Sequence, residues 1–560
     1  MPRFKSLLMR VLRWAKPSLL VTALLTILLT TPALKAAAPN TSSPPPFHGV
    51  LTYHNDNARS GLNPFETTLT PANVNSTTFG KLFSYPVDGY IYAQPLYVPG
   101  VSIPQIGVRN VVYVVTEHDS VYAFDADGFS SQPLWHTSFI NPAAGITTVP
   151  SADVDSSDIV PEIGITGTPV IDASGTLYVV AKIKDNGQYF QQLHALDITT
   201  GSERTSSPRA IAPRVAGGDG HLPNGRIPFN ALRQNQRAAL AEVAGQIYVA
   251  FASHGDNRPY HGWVLGFDAQ TLALSTMYID TPGGREGGIW QSGNGIAADS
   301  ANAVYFISDN GTFDANAGGL DYGDSAIKLS AAALTRKRVL RATDYFTPHN
   351  QRHLSDDDMD MGTAGPVLLP DQPVGPVHLL VTADKAGTIY VIDRDHMGHF
   401  RAGGDTQIVQ ELPNLLSSTF TPAAIFNNLL YMSSYNNPVF AIPIVNGKLS
   451  PADELSTSAA FDFPGVVPAI SANGTTNGIL WVLDLRNSSE AVLVAYDAGT
   501  LSLLYHSATV SSRDQAGPGV KFTTPTIANG KVYVGTQTEL DVYVEIDRAR
   551  ASITFAVDRQ

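Results

Sequence analysis

One phrase recurs eight times along this chain, and nothing else in it constrains the fold so tightly. A small residue with Pro or Gly opens an apolar strand. A second strand of Tyr and Val follows, then a third that commonly ends in Asp and a turn. The clearest copies are AQPLYV…VVYVVTEHDSVYAFDADG (93–128), GTPVIDASGTLYVV…LHALDITTG (167–201), AGPVLLP…HLLVTADKAGTIYVIDRD (364–395) and TTPTIANGKVYVGTQTELDVYVEID (523–547). Weaker copies read ALAEVAGQIYVAFASHG…WVLGFDAQT, GNGIAADSANAVYFISDNG…AIKLS, TPAAIFNNLLYMSSYNNPVFAIP and PAISANGTTNGILWVLDLRNSSEAVLVAYDAGT. One such unit is a small antiparallel sheet that cannot bury both faces alone. Packed in a ring against its neighbours it can, and the ring also hides most strand edges. The repeat therefore predicts an all-β protein, a single eight-bladed β-propeller with four antiparallel strands per blade over residues 51–560.

With 560 residues, 43% of them hydrophobic, the chain can bury a large core, and its 47 Gly and 38 Pro suit a turn-rich ring. A net charge of −13 argues against nucleic acid or an anionic membrane surface as partner. The first 36 residues read as a targeting segment. Arg3, Lys5, Arg10, Arg13 and Lys16 precede the apolar run LLVTALLTILL and the small-residue stretch ALKAAAPN. This is a signal-peptide pattern with cleavage after Ala36, the alternative being an uncleaved anchor helix. The run is short for a full span, and no other stretch approaches transmembrane length. Residues 37–50 then read as a flexible tether, and the mature chain is expected in the periplasm or outside the cell. The chain has no cysteine, which excludes disulfides, a thiolate metal site and a CxxCH haem attachment. Two long inserts, 201–230 and 339–362, interrupt the repeat; loops of that length on a propeller shape one mouth of the axis or are plain surface excursions.

Several segments resemble the quinoprotein alcohol dehydrogenases, eight-bladed propellers that hold pyrroloquinoline quinone and usually Ca²⁺ on the axis. They are TYHNDNARSGLNPFETTLTPANV (52–74), GGIWQSGNGIAADSANAVYFISDNGTFD (287–314), TPHNQRHLSDDDMDMGTAGPVLLP (347–370) and ADKAGTIYVIDRD (383–395). The resemblance implies that Trp290 is the flat floor under the quinone and that the amide oxygen of Asn310 ligates Ca²⁺. It implies that Lys385 lies beside the quinone carbonyls. It also implies that Asp358 or Asp360 is the general base; spacing does not decide between them. By register the family's carboxylate ligand becomes Asn257, with Asp256 adjacent.

The departures are as informative. The family's vicinal cysteine pair over the quinone is absent, and IVPEIGITG (159–167) stands where its neighbouring Arg would be. A cofactor-binding Glu falls at or near Tyr92. Each lost charged contact weakens binding roughly ten- to a hundredfold. Other chemistry is thinly supported: His254, His261 and Asp256 suggest either a transition-metal site or hydrogen bonding at a blade end, and no nucleophile elbow or phosphate loop occurs. The sequence reading is thus an exported quinoprotein-like propeller whose cofactor site has degenerated, binding a glycan or cell-envelope ligand at its mouth. The alternative is a pyrroloquinoline quinone- and Ca²⁺-dependent dehydrogenase of a small alcohol or sugar.

Overall fold

The computed structural model describes residues 47–218, 225–330, 339–485 and 490–546. The expected signal peptide (1–36) and most of the expected tether lie outside them. The described chain is an eight-bladed β-propeller. The innermost strands of blades 1 to 8 are Leu96–Ile103, Val170–Ile171, Ala241–Val243, Ala297–Ala298, Val367–Leu368, Ala424–Phe426, Ala469–Asn473 and Thr526–Ala528. Each begins a meander in which successive strands pair antiparallel. Blade 8 takes its outermost strand from the start of the chain: Phe79–Pro86 pairs with Glu539–Glu545. Both ends of the ring are therefore hydrogen-bonded into one sheet, which leaves no open edge at the seam. No described helix is long and apolar enough to cross a membrane.

The repeated Tyr and Asp of the sequence phrase link neighbouring blades. The Asp ending a third strand accepts backbone amides of its own turn, as Asp197 does from Thr199 and Asp497 from Gly499 and Thr500. The carbonyl of the next residue then faces the preceding blade and accepts the hydroxyl of its second-strand Tyr. Tyr113 donates to Ile198, Tyr178 to Ala269, and Tyr431 to Ala498, at 2.7–3.0 Å. These hydroxyls would otherwise lie unsatisfied between two apolar sheets, and the link fixes how blades stack.

The segment 50–63, a stretch without repeat character, closes one end of the axis. It hydrogen-bonds to the innermost strand of every blade. Backbone amides of Tyr97, Ile171, Ala298, Leu368, Ile425 and Ile470 donate to carbonyls between Val50 and Gly61. The amides of Asn57 and Asn63 donate to the carbonyls of Glu242 and Ile527, which completes the eight. Arg59, fully buried, donates to the carbonyls of Tyr53, Leu240 and Ile296. The Asp-Asn-x-Arg opening is thus an axial plug.

Four antiparallel strands dictate where a site can form. The connection between the second and third strands, and the connection to the next blade, emerge at the same end of the ring. The plug occupies the other end. Residues from sixteen connections therefore converge around one mouth.

Candidate functional site

A cavity of about 290 Å³ opens at that mouth. Its lining comes from the two classes of connection just described. Between blades run Tyr92, Ile159, Arg237, Trp290, Asp358, Asp360, Phe420, Phe463 and Phe522, while Asp256, Asp309 and Lys385 follow second strands. Strand ends carry the charged groups, so the blade packing itself fixes their position.

Trp290, Asp358, Asp360 and Lys385 all line the cavity. Lys385 Nζ lies 2.6 Å from Asp358 Oδ2 and 3.3 Å from Asp360 Oδ2. Burial opposes the Lys385 charge, but the two carboxylates outweigh it and hold its pKa above the ordinary value. Asn310 joins the same group. Its side-chain amide donates to Asp358 Oδ1 at 3.1 Å and its backbone amide to Asp360 Oδ1 at 3.3 Å. Its side-chain oxygen is buried without a partner. Asp358 is exposed, whereas Asp360 is half-buried. Burial, with Asp358 and Asp256 nearby and Lys385 opposing, pushes the Asp360 carboxyl up to about 6.

Asn257 does not reach the cavity. Its amide donates to the carbonyls of Val154 and Asp155 at 3.0 and 2.9 Å, pinning the insert before blade 2. The turn after Gln246–Ser253 presents its neighbour Asp256 to the cavity. Asp256 accepts the Tyr260 hydroxyl at 2.9 Å, so a carboxylate remains where the sequence reading expected an amide. His254 and His261 do not join it. His254 Nε2 lies 2.7 Å from Lys182 Nζ, and His261 Nδ1 bonds to Thr281.

Four charged residues at the cavity escape sequence reading: Asp158, Arg237, Asp309 and Lys521. Asp309 is 7% exposed; one oxygen accepts the Trp290 amide at 3.2 Å and the other has no partner. Burial, then Asp360 and Asp256, push its carboxyl well above the usual range. Its one signal is its place directly before Asn310 at a strand end. Arg237 sits among small apolar residues in NQRAALAEV, where only the fold reveals that it faces the axis. One wall of the mouth is aromatic. Phe522 stands perpendicular to Trp290 at 5.2 Å, and Phe463 lies against both Phe420 and Phe522. Tyr92 lines the cavity without filling it, and Ile159 comes from the segment that stands in place of the family's Arg.

The chain superposes on the quinohemoprotein alcohol dehydrogenase from Comamonas testosteroni with TM-score 0.58 at 14% identity, over 89% of this chain and 80% of that one. A europium-containing methanol dehydrogenase gives TM-score 0.56 at 14% identity, over 89% and 98%. The fold is that of the quinoprotein alcohol dehydrogenases. No protein-family profile matches the chain, and no curated protein does.

The residues present suit a hard cation and a flat anion of that family. Asp256, Asp309, Asp358 and Asp360 face a single Lys385, and two buried oxygens, on Asp309 and Asn310, lack partners. Oxygen donors with excess negative charge are what Ca²⁺ or a more highly charged hard cation takes. Trp290 offers its indole to the cavity with no ring stacked parallel on it among the described residues.

Proposed function

We propose that the axial cavity binds pyrroloquinoline quinone with a hard cation and that the protein is a dehydrogenase of a small alcohol or sugar. The observation that carries this reading is the convergence of Trp290, Lys385 and Asp360, from three separate segments of the chain, on one cavity at the unplugged end, with Asn310 bonded to Asp360 behind it. A bound quinone supplies the acceptor for the hydride leaving the substrate carbon. Everything else falls to side chains. Trp290 gives the flat apolar surface. The partnerless oxygens of Asp309 and Asn310, with Asp256, would hold Ca²⁺ or a trivalent lanthanide. Lys385 places positive charge where the acceptor's oxygens gain electron density. Asp360, half-buried and poised near neutrality, takes the substrate hydroxyl proton, a role for which exposed Asp358 is less suited. Asp358 instead positions Lys385 and Asn310.

A second reading keeps the cavity but removes the chemistry: an exported module that binds a glycan or envelope ligand. It is favoured by the missing cysteine lid and by Phe522 standing against Trp290. In both readings the protein is exported. Dye-linked oxidation of an alcohol and sugar panel separates the two, using protein reconstituted with the quinone and either Ca²⁺ or La³⁺. Turnover that Asp360→Asn abolishes supports the dehydrogenase. Absence of turnover with every cation supports the binding module.

A further inference from the structure

Opposite its acidic pole, the cavity has a cationic pole whose buried member has no carboxylate partner among the described residues. Arg237 is 2% exposed and lines the cavity. Its guanidinium makes one long hydrogen bond, 3.4 Å to the Phe522 carbonyl, and otherwise lies over the rings of Tyr92 and Phe522 at 5.6 and 5.9 Å. It has no ion pair among the described residues. The acid that acts on it, Glu117, accepts the Gly164 amide and the Thr166 hydroxyl instead. Lys521 stands beside it, with Nζ 5.6 Å from the Phe522 ring and 4.0 Å from the exposed carboxylate of Asp158. Burial lowers the pKa of both cations.

A buried guanidinium without a counterion is costly, and a structure retains one where a ligand completes it. The aromatic rings beside it leave its planar fork of donors to act at the cavity, and that fork matches a carboxylate two atoms at a time. We propose that Arg237 and Lys521 form a carboxylate subsite, so that the cavity's ligand is a flat aromatic acid held with its carboxylate toward blades 3 and 8 and its other end toward the acidic pole. The subsite deepens the quinone reading by giving the acid groups of such a cofactor a cation in place of the one missing from 159–167. It also holds for any other aromatic acid.

The test uses benzoate, quinoline-2-carboxylate and pyridine-2,4,6-tricarboxylate, each with its neutral amide, in calorimetric titration of the full mature chain without added metal. The acids bind and the amides do not. Arg237→Met weakens the best acid about ten- to a hundredfold, Arg237→Lys restores part of the loss, and Lys521→Gln weakens it less. Without ligand, Arg237→Met melts at or above the wild-type temperature, because it removes an uncompensated buried charge. Equal binding of acids and amides, no binding by any acid, or a destabilised Arg237→Met that binds acids normally would each overturn the subsite. Binding of the simple acids without binding of pyrroloquinoline quinone would leave the subsite standing and remove the quinone reading.

Discussion

Replacing Glu117 by Gln isolates the electrostatic strain at the cavity end of blade 1. Glu117 is 1% exposed; one oxygen accepts the Gly164 amide at 2.8 Å and the Thr166 hydroxyl at 3.1 Å, and the other has no partner. Burial pushes its carboxyl from 4.5 to about 7, against the pull of those hydrogen bonds and of Arg237. A folded pKa raised above the unfolded one means that the folded state holds its proton longer. The stability this confers is complete below about 4.5 and is lost as pH rises through about 7. Its size is about 3 kcal/mol, at about 1.4 kcal/mol per pH unit. Gln is nearly isosteric with the protonated acid and keeps the acceptor, so Glu117→Gln removes this pH dependence, together with the Glu117 charge that acts on buried Asp119. Urea unfolding of both proteins from pH 5 to pH 9 measures it. The variant matches wild type within about 1 kcal/mol at pH 5 and exceeds it by about 3 kcal/mol at pH 9. At the usual unfolding entropy per residue this is about 3 °C in melting temperature for a ring of this size. A difference that does not change between pH 5 and pH 9 would refute the buried, strained carboxylate.

Tyr431→Phe strands the buried Ala498 carbonyl and costs about 1–3 kcal/mol, whereas Tyr113→Phe costs less, because Trp135 Nε1 also donates to the Ile198 carbonyl at 2.9 Å; paired urea melts compare them. Asp256→Asn weakens Ca²⁺ or La³⁺ binding at least tenfold in calorimetry, while Asn257→Ala leaves it unchanged and lowers stability by about 1–2 kcal/mol through loss of its two carbonyl contacts. Gly362→Ala would place a methyl against Asp309 Oδ1; the carboxylate must move, and cation affinity falls while the ring still folds, as circular dichroism and titration together report.

The ring itself is legible in the sequence because each blade repeats the same local demands. Tyr178 and Tyr431 meet the same kind of turn carbonyl, and that sameness is written as a phrase. Trp290, Asn310, Lys385 and the Asp358–Asp360 pair are nameable because they stand in segments resembling a known family. The direction of Asn257 is not legible, because a turn can rotate by one residue without changing its composition, and only the bond from its amide to Val154 shows which way it faces. Arg237, Lys521 and Asp309 are invisible for another reason. Each lies in a connection with nothing distinctive in its local sequence, and only the closed ring brings it to the cavity. The plug is hidden likewise: its carbonyls, not its side chains, meet six of the eight inner strands.

The central claim is that the unplugged mouth is a live quinone and cation site. Thermal-shift titration of the mature protein with pyrroloquinoline quinone, with and without Ca²⁺ or La³⁺, beside Trp290→Ala, tests it most directly. A dose-dependent rise that needs the cation and vanishes in Trp290→Ala is the predicted result. No shift at high micromolar quinone with either cation would contradict it.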